Sequence, residues 1–111
     1  MSPRNPDALN RIEFFVLAVL AAGPRHGYGI AQDIERRTKG EVKVRPGSLY
    51  RVLDRLVRTD LISHIEDGPS AGDDRRNDYG ITELGRTALH DEALLLASIG
   101  GEVLAGKEKP A

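Results

Sequence analysis

The sequence predicts a mainly α fold of the α+β kind, four helices with a small β-hairpin, and three observations carry that prediction. Residues 44–62, VRPGSLYRVLDRLVRTDLI, open on a proline signal and then repeat apolar residues every three or four positions. Two further stretches, one opening near Leu9 and one near Thr82, share that helical spacing. Before the last of them, residues 67–77 read DGPSAGDDRRN, turn-formers and charges between two short apolar runs, which is the pattern of a hairpin.

In chain order, residues 1–8 hold Pro3 and Pro6 without periodicity, and a flexible N-terminal arm is expected there. A first helix is predicted over residues 9–22. Ile12, Phe15, Val16, Val19 and Leu20 form its stripe, Phe14 and Leu17 widen it, and Gly23 with Pro24 stops it. So broad an apolar surface needs cover on two sides, with its own domain supplying one and a partner a candidate for the other. A second helix is predicted over residues 27–38, with Ile30, Ile34 and the aliphatic part of Tyr28 inward and Gln32, Asp33, Glu35, Arg36 and Arg37 outward; Gly40 ends it. The glycines at 23, 27 and 29 are no nucleotide loop, because no strand precedes them and no Gly-Lys-Ser/Thr follows. Residues 41–45 alternate, as a brief strand does.

Pro46 suits the first turn of a helix, where no backbone donor is needed. The third helix is therefore predicted to start at Arg45 or Pro46 and to end near Thr59 or Asp60. Leu49, Val52, Leu53, Leu56 and Val57 share one face, and Ser48, Arg51, Arg55 and Arg58 fall within an arc of roughly 80° almost opposite, at about 100° per residue. Arginine can bond guanine bidentately or clamp phosphate oxygens, so this face suits a DNA major groove; a solvated basic face has the same pattern.

Residues 61–66 and 78–82 read as the two hairpin strands, the second carrying Tyr79 and Ile81. Arg75 and Arg76 near the tip suit a phosphate backbone or a minor groove, or an ordinary solvated turn. Thr82 is a predicted N-cap for the last helix, with Glu83 favourable beside it. Leu84, Ala88, Leu89, Leu95, Leu96, Ile99 and Val103 give that helix a broad apolar surface, and positions 89, 96 and 103 keep a heptad interval. A dimer contact satisfies this surface, as does folding back onto the domain's own core. Gly100 and Gly101 each weaken a helix by roughly 1 kcal/mol, so a kink or fraying is expected before Val103. The organisation is thus an arm at 1–8, a domain at 9–82, a terminal helix at 83–105 and a disordered tail at 106–111.

At 111 residues the chain suits one compact domain. Its net charge of −1 hides an asymmetry: eleven basic and seven acidic residues through Asp60, five and ten after it. A basic surface is therefore compatible with a neutral total. Cysteine is absent, which excludes disulfides and thiolate-bound zinc. No apolar run approaches a membrane span and the N-terminus has no apolar signal core, so a cytoplasmic protein is expected. His26 suits a donor to phosphate or backbone at the helix-two entry, or a structural turn residue, and His64 and His90 lack a third ligand at usable spacing, so no cofactor or metal is expected. No nucleophile with a positioned base and no pocketed acid pair is visible, so an enzyme is not expected.

Helix, helix, short strand, basic helix, hairpin, helix is the order of a winged helix-turn-helix, with an added C-terminal helix suited to dimerisation. Three stretches resemble one family: FFVLAVLAAGPRHGY at 14–28, RPGSLYRVLDRLVRTDLI at 45–62 and RRNDYGITELGRTAL at 75–89 are similar to the opening helix, recognition helix and wing exit of PadR-type transcriptional regulators. That resemblance covers about four fifths of the chain, in the family's short form. It implies a homodimeric, usually repressing regulator of double-stranded DNA, with the first and last helices building the dimer. By position Pro46, Gly47, Ser48, Leu49 and Tyr50 match the motif opening the recognition helix, His26, Gly27 and Tyr28 the turn into helix two, and Arg75, Arg76 and Tyr79 the wing. Gly80 stands where such proteins often have a larger residue.

The expected DNA-binding residues are Arg45, Ser48, Tyr50, Arg51, Arg55 and Arg58 on the recognition helix, with His26, Tyr28, Lys43, Arg75 and Arg76 on the backbone or wing. The expected dimer interface holds Phe14, Phe15, Leu89, Leu95, Leu96, Ile99 and Val103. A palindromic operator and release by a small-molecule effector complete the expectation. The alternative is a winged-helix protein-interaction module without specific DNA binding.

Overall fold

Asn10 begins the first helix by reciprocal capping. Its side chain accepts the Glu13 N–H at 2.8 Å, and the Glu13 carboxylate accepts the Asn10 N–H at 3.0 Å. The computed structural model describes residues 9–66 and 78–106. Within them the order is α1 (Arg11–Ala21), β1 (Arg25–His26), α2 (Gly27–Arg37), α3 (Pro46–Arg58), β2 (Ile62–Ile65), β3 (Asp78–Ile81) and α4 (Glu83–Leu104). The strands make one antiparallel sheet in the order β1-β3-β2, with Tyr79 between Arg25 and His64. The expected arm, the hairpin tip with Arg75 and Arg76, and the tail beyond Gly106 lie outside the described residues.

The core gathers around α1, whose Val16, Leu17, Val19 and Leu20 are at most 1% exposed. They cluster with Ile30 and Ile34 of α2, Leu49, Leu53 and Leu56 of α3, and Ile62 and Tyr79 of the sheet. Each fully buried aliphatic side chain contributes about 1.5–3 kcal/mol of transfer free energy, so the three helical stripes hold the domain together.

Four expectations are corrected. Residues 41–45 form no strand: Val42 is buried and Val44 half-buried in an irregular strap, and the Val42 N–H bonds the Thr38 hydroxyl at 3.0 Å. Alternation there reports burial without pairing, because the β3 edge is taken by Arg25 and His26. Tyr28 is exposed, not inward, and Asp33 is buried, not outward. The last helix does not break at Gly100 and Gly101 but runs on to Leu104; a cost of roughly 1 kcal/mol per glycine is too small to end a helix of this length. Gly106, at φ +77, then closes it by donating to the Val103 carbonyl at 3.0 Å.

The start of α4 is fastened to the end of α3. Thr82 caps the helix, its hydroxyl oxygen accepting the Gly85 N–H at 2.9 Å while the hydroxyl donates to the Asp60 carbonyl at 2.6 Å. The Thr82 N–H donates to the Leu61 carbonyl at 3.1 Å. Gly85 lies so close that a Cβ there would stand 2.1 Å from the Leu61 oxygen. At Gly80 a Cβ would meet the end of Ile65 at 2.8 Å, so the glycine makes room for that side chain in β2.

Candidate nucleic-acid interface

Arg45 is the N-cap residue of α3 without a side-chain cap bond, and Pro46 follows where no N–H is required. Burial of Leu49, Leu53 and Leu56 against the domain turns Ser48, Arg51, Arg55 and Arg58 to solvent. The polar arc read from the spacing is therefore a continuous outward face. Its arginines are not equivalent. Arg51 reaches only the Ser48 hydroxyl, at 3.4 Å, and has no carboxylate partner among the described residues. Arg58 pairs with Asp54 at 3.2 Å, both side chains more than two-thirds exposed, which contributes about 0.5 kcal/mol or less. Arg55 Nε bonds Glu13 at 3.1 Å, and that carboxylate is buried.

The Glu13–Arg55 pair ties the recognition face to α1. Arg55→Ala is expected to cost about 1–2 kcal/mol of stability: removing one partner of a buried pair costs more than a surface contact, but half-exposed Arg55 leaves water access to Glu13. Urea unfolding of Arg55→Ala, Glu13→Gln and the double variant checks this. Glutamine keeps the capping geometry, so the double should lose little beyond Arg55→Ala; fully additive losses would mean the pair carries no coupling.

Around the start of α3 lie the other expected contacts. Tyr50 is half-exposed and its hydroxyl crosses Gly27, where a Cβ would come within 2.7 Å of it. His26 is the N-cap of α2: its Nδ1 accepts the Gly29 N–H at 3.1 Å, which requires the proton on Nε2. Its ring lies parallel to that of exposed Tyr28, with centroids 6.3 Å apart. Tyr28, Lys43, Val44, Pro46 and Tyr50 line an open groove of about 550 Å³ between α2 and α3. Tyr79, matched to the wing, is instead buried against His64, at 4.9 Å between centroids. Burial, then Tyr50 and Asp54, push its phenol pKa up, so it remains neutral. Arg75 and Arg76 lie outside the described residues.

Of the residues expected at a dimer contact, Leu89 is half-buried on the domain, Phe14 and Phe15 are half-buried on α1, and Leu95, Leu96, Ile99 and Val103 are exposed. Sequence reasoning missed Glu13 and the cluster around Asp33. Asn10 followed three residues on by Glu13 is a readable capping signature. Asp33, Arg36 and Arg37 at three- and four-residue spacing are a readable helix pair set, whereas Arg25 reaches Asp33 only through the fold.

Among the described residues, four helices, a three-stranded sheet and a buried-backed helix presenting arginines have the winged-helix architecture of transcription regulators. The sequence model of the transcriptional regulator PadR-like family matches residues 16–91, and the chain belongs to that family. A 37.1 kDa protein in a Streptomyces fradiae transposon is 36% identical over 94 residues, 85% of this chain and 25% of that protein, so this chain spans about a quarter of that relative. The structure of H. salinarum RosR superposes with a TM-score of 0.66 at 30% identity, covering 81% of this chain and 76% of that one. A PadR-like transcriptional regulator from Bacillus cereus shares the fold with a TM-score of 0.74 at 21% identity, covering 89% and 93%. No helix among the described residues is long and apolar enough to cross a membrane.

Proposed function

We propose that this chain is a sequence-specific repressor acting in the cytoplasm as a homodimer on a palindromic operator. The observation that carries the reading is the pair of exposed surfaces, the arginine face of α3 and the uncovered apolar face of α4. Along α4 one stripe first packs Gly85, Ala88 and Leu89 on its own domain and then continues through Leu95, Leu96, Ile99 and Val103, which are about half exposed. A second copy would cover that continuation at the heptad interval, with Phe14 and Phe15 alongside. Two copies of α3 would then enter successive major grooves about 34 Å apart.

Within this reading Ser48 and Arg51 contact base edges, being near the start of α3 and uncommitted to a carboxylate. Arg45, Tyr50, Arg55, Arg58, His26, Tyr28, Lys43 and the wing arginines Arg75 and Arg76 hold phosphates and set register. Release by a small molecule belongs to the same reading. The hollow between Ala21 and α4, lined by Arg86, Leu89 and His90 and measuring about 580 Å³, is where a ligand would bear on the dimer helix.

Selection from a random duplex pool, followed by a salt titration of the selected site, tests the reading. An enriched inverted repeat with half-sites one helical turn apart supports it; a folded dimer with no salt-dependent affinity for duplex DNA would return the protein-interaction alternative. On the selected operator Arg51→Ala is expected to weaken binding about 10- to 100-fold and relax preference at one base pair per half-site, a cost of about 1–3 kcal/mol. Equal weakening on every duplex would reassign Arg51 to a phosphate.

A further inference from the structure

Three arginines converge on one carboxylate beside the groove. Asp33 is 4% exposed and receives Arg25 at 2.5 Å, Arg37 at 3.4 Å, and Arg36. One negative charge against three positive ones leaves the cluster with about two units of positive charge. Among the described residues these guanidiniums have no second carboxylate.

Neutralising Asp33 requires one arginine, and each further one adds repulsion. Burial, then Arg37 and Arg36, push the pKa of Arg25 down. A carboxylate has two oxygens and each guanidinium five N–H donors, so most of the donors are left for another acceptor. Arg36 and Arg37 are 68% and 44% exposed, while Arg25 is largely covered. Their common anchor holds the heads in place, which reduces the rotamer entropy lost on binding an anion.

The position of the cluster selects the anion. Gly29, Gln32, Asp33 and Arg36 follow one face of α2 and, with Arg25 and His26, line a hollow of about 500 Å³. Gln32 and Arg36 also line the groove that holds Lys43, Pro46 and Tyr50 at the start of α3. The two surfaces therefore meet along α2, and in a helix-turn-helix the helix before the reading helix crosses the DNA backbone.

We propose that Arg25, Arg36 and Arg37, positioned by buried Asp33, form a phosphodiester anchor that grips the DNA backbone beside the major groove entered by α3. The inference rests on the DNA-binding reading and adds residues to it that neither the reading helix nor the wing supplies. Arg36 and Arg37 make the contact, and Arg25 keeps Asp33 paired and the cluster in place.

The test uses the full chain and a random-sequence duplex of about 24 base pairs, long enough for backbone contacts from two half-sites. Parent, Arg36→Gln, Arg37→Gln, the double glutamine variant and the double lysine variant are titrated with the duplex over a range of salt. The expected result is a salt slope shallower by about 0.9 for each phosphate that a variant no longer neutralises, with preference for the selected operator over random duplex unchanged. Lysine should restore the slope through its charge. A double glutamine variant with the parent's slope overturns the anchor, since a merely structural cluster would change melting and leave the slope alone. If that variant does not fold, Arg36→Gln carries the same comparison, as Arg36 is the most exposed of the three. A parent chain that shows no salt-dependent duplex binding overturns the DNA reading and the anchor together. Free anion is separated by melting in inorganic phosphate against chloride of equal ionic strength: a phosphate-specific shift lost in the double glutamine variant, with the duplex slope intact, assigns the cluster to a free anion and overturns the DNA assignment.

Discussion

Gly85→Ala is expected to lower the melting temperature by about 10 °C or more, although alanine is the better helix former. Two effects compete at this position. In a helix interior, alanine is favoured over glycine by about 1 kcal/mol. Against that, the new Cβ would stand 2.1 Å from the Leu61 carbonyl oxygen and 2.8 Å from Ile81 Cγ1. A side-chain tip can turn away, but a backbone carbonyl that also accepts the Thr82 N–H cannot move without breaking that bond. Overpacking of this kind costs about 3 kcal/mol or more, leaving a net loss of about 2 kcal/mol; in a domain of this size each kcal/mol moves the midpoint by about 4–8 °C. Thermal unfolding followed by circular dichroism measures it. Gly100→Ala and Gly101→Ala are the controls, for nothing lies within 4 Å of a Cβ at either position and both should hold or raise the midpoint. An unchanged midpoint for Gly85→Ala would mean that α4 does not seat on Leu61 in solution.

The second large effect concerns assembly. Leu96→Glu combined with Ile99→Glu is expected to leave the domain folded and to convert the proposed dimer to a monomer. Leu96 and Ile99 are 48% and 50% exposed and lie beyond the part of α4 that packs on its own domain, so the charges burden the single chain little. In a face-to-face pair each carboxylate would be forced toward an apolar surface, at several kcal/mol in total. Sedimentation should show the monomer at micromolar concentration. Operator affinity should fall about 100-fold or more, because losing the linked second half-site removes the effective-concentration gain. A dimer of unchanged operator affinity would place the contact on another surface and leave the α4 stripe for a different partner.

Legibility in the sequence followed the range of the interactions. The bounds of α3 were readable from Pro46 and from the spacing of Leu49, Leu53 and Leu56, because capping and periodicity are local. The polar face at Ser48, Arg51, Arg55 and Arg58 came with them. Thr82 was readable as a cap for the same reason. What spacing does not contain is which chain segment arrives from elsewhere. The two-residue strand at Arg25 and His26 exists only because β3 offers an edge, and the alternation at Val42 and Val44 mimicked a strand by burial alone. Asp33 looked like a solvated position until Arg25 closed over it. The capping place of Glu13 is local, but its pairing with Arg55 depends on α3 crossing α1. Tyr28 has the size for a core position, yet on α2 it lies beside His26 at the surface. The candidate site was thus legible as a face and illegible as a set of pairings.

The fastening of Thr82 to Asp60 and Leu61 joins the end of α3 to the start of α4. Their junction is hydrogen-bonded on both sides of the hydroxyl and in contact at Gly85, which couples the start of α4 to the end of α3. In the proposed dimer, a rotation at the α4 contact would be passed through this junction to α3 and swing the two reading helices apart or together. A ligand that altered the angle between the copies could therefore release an operator without touching any residue that meets DNA.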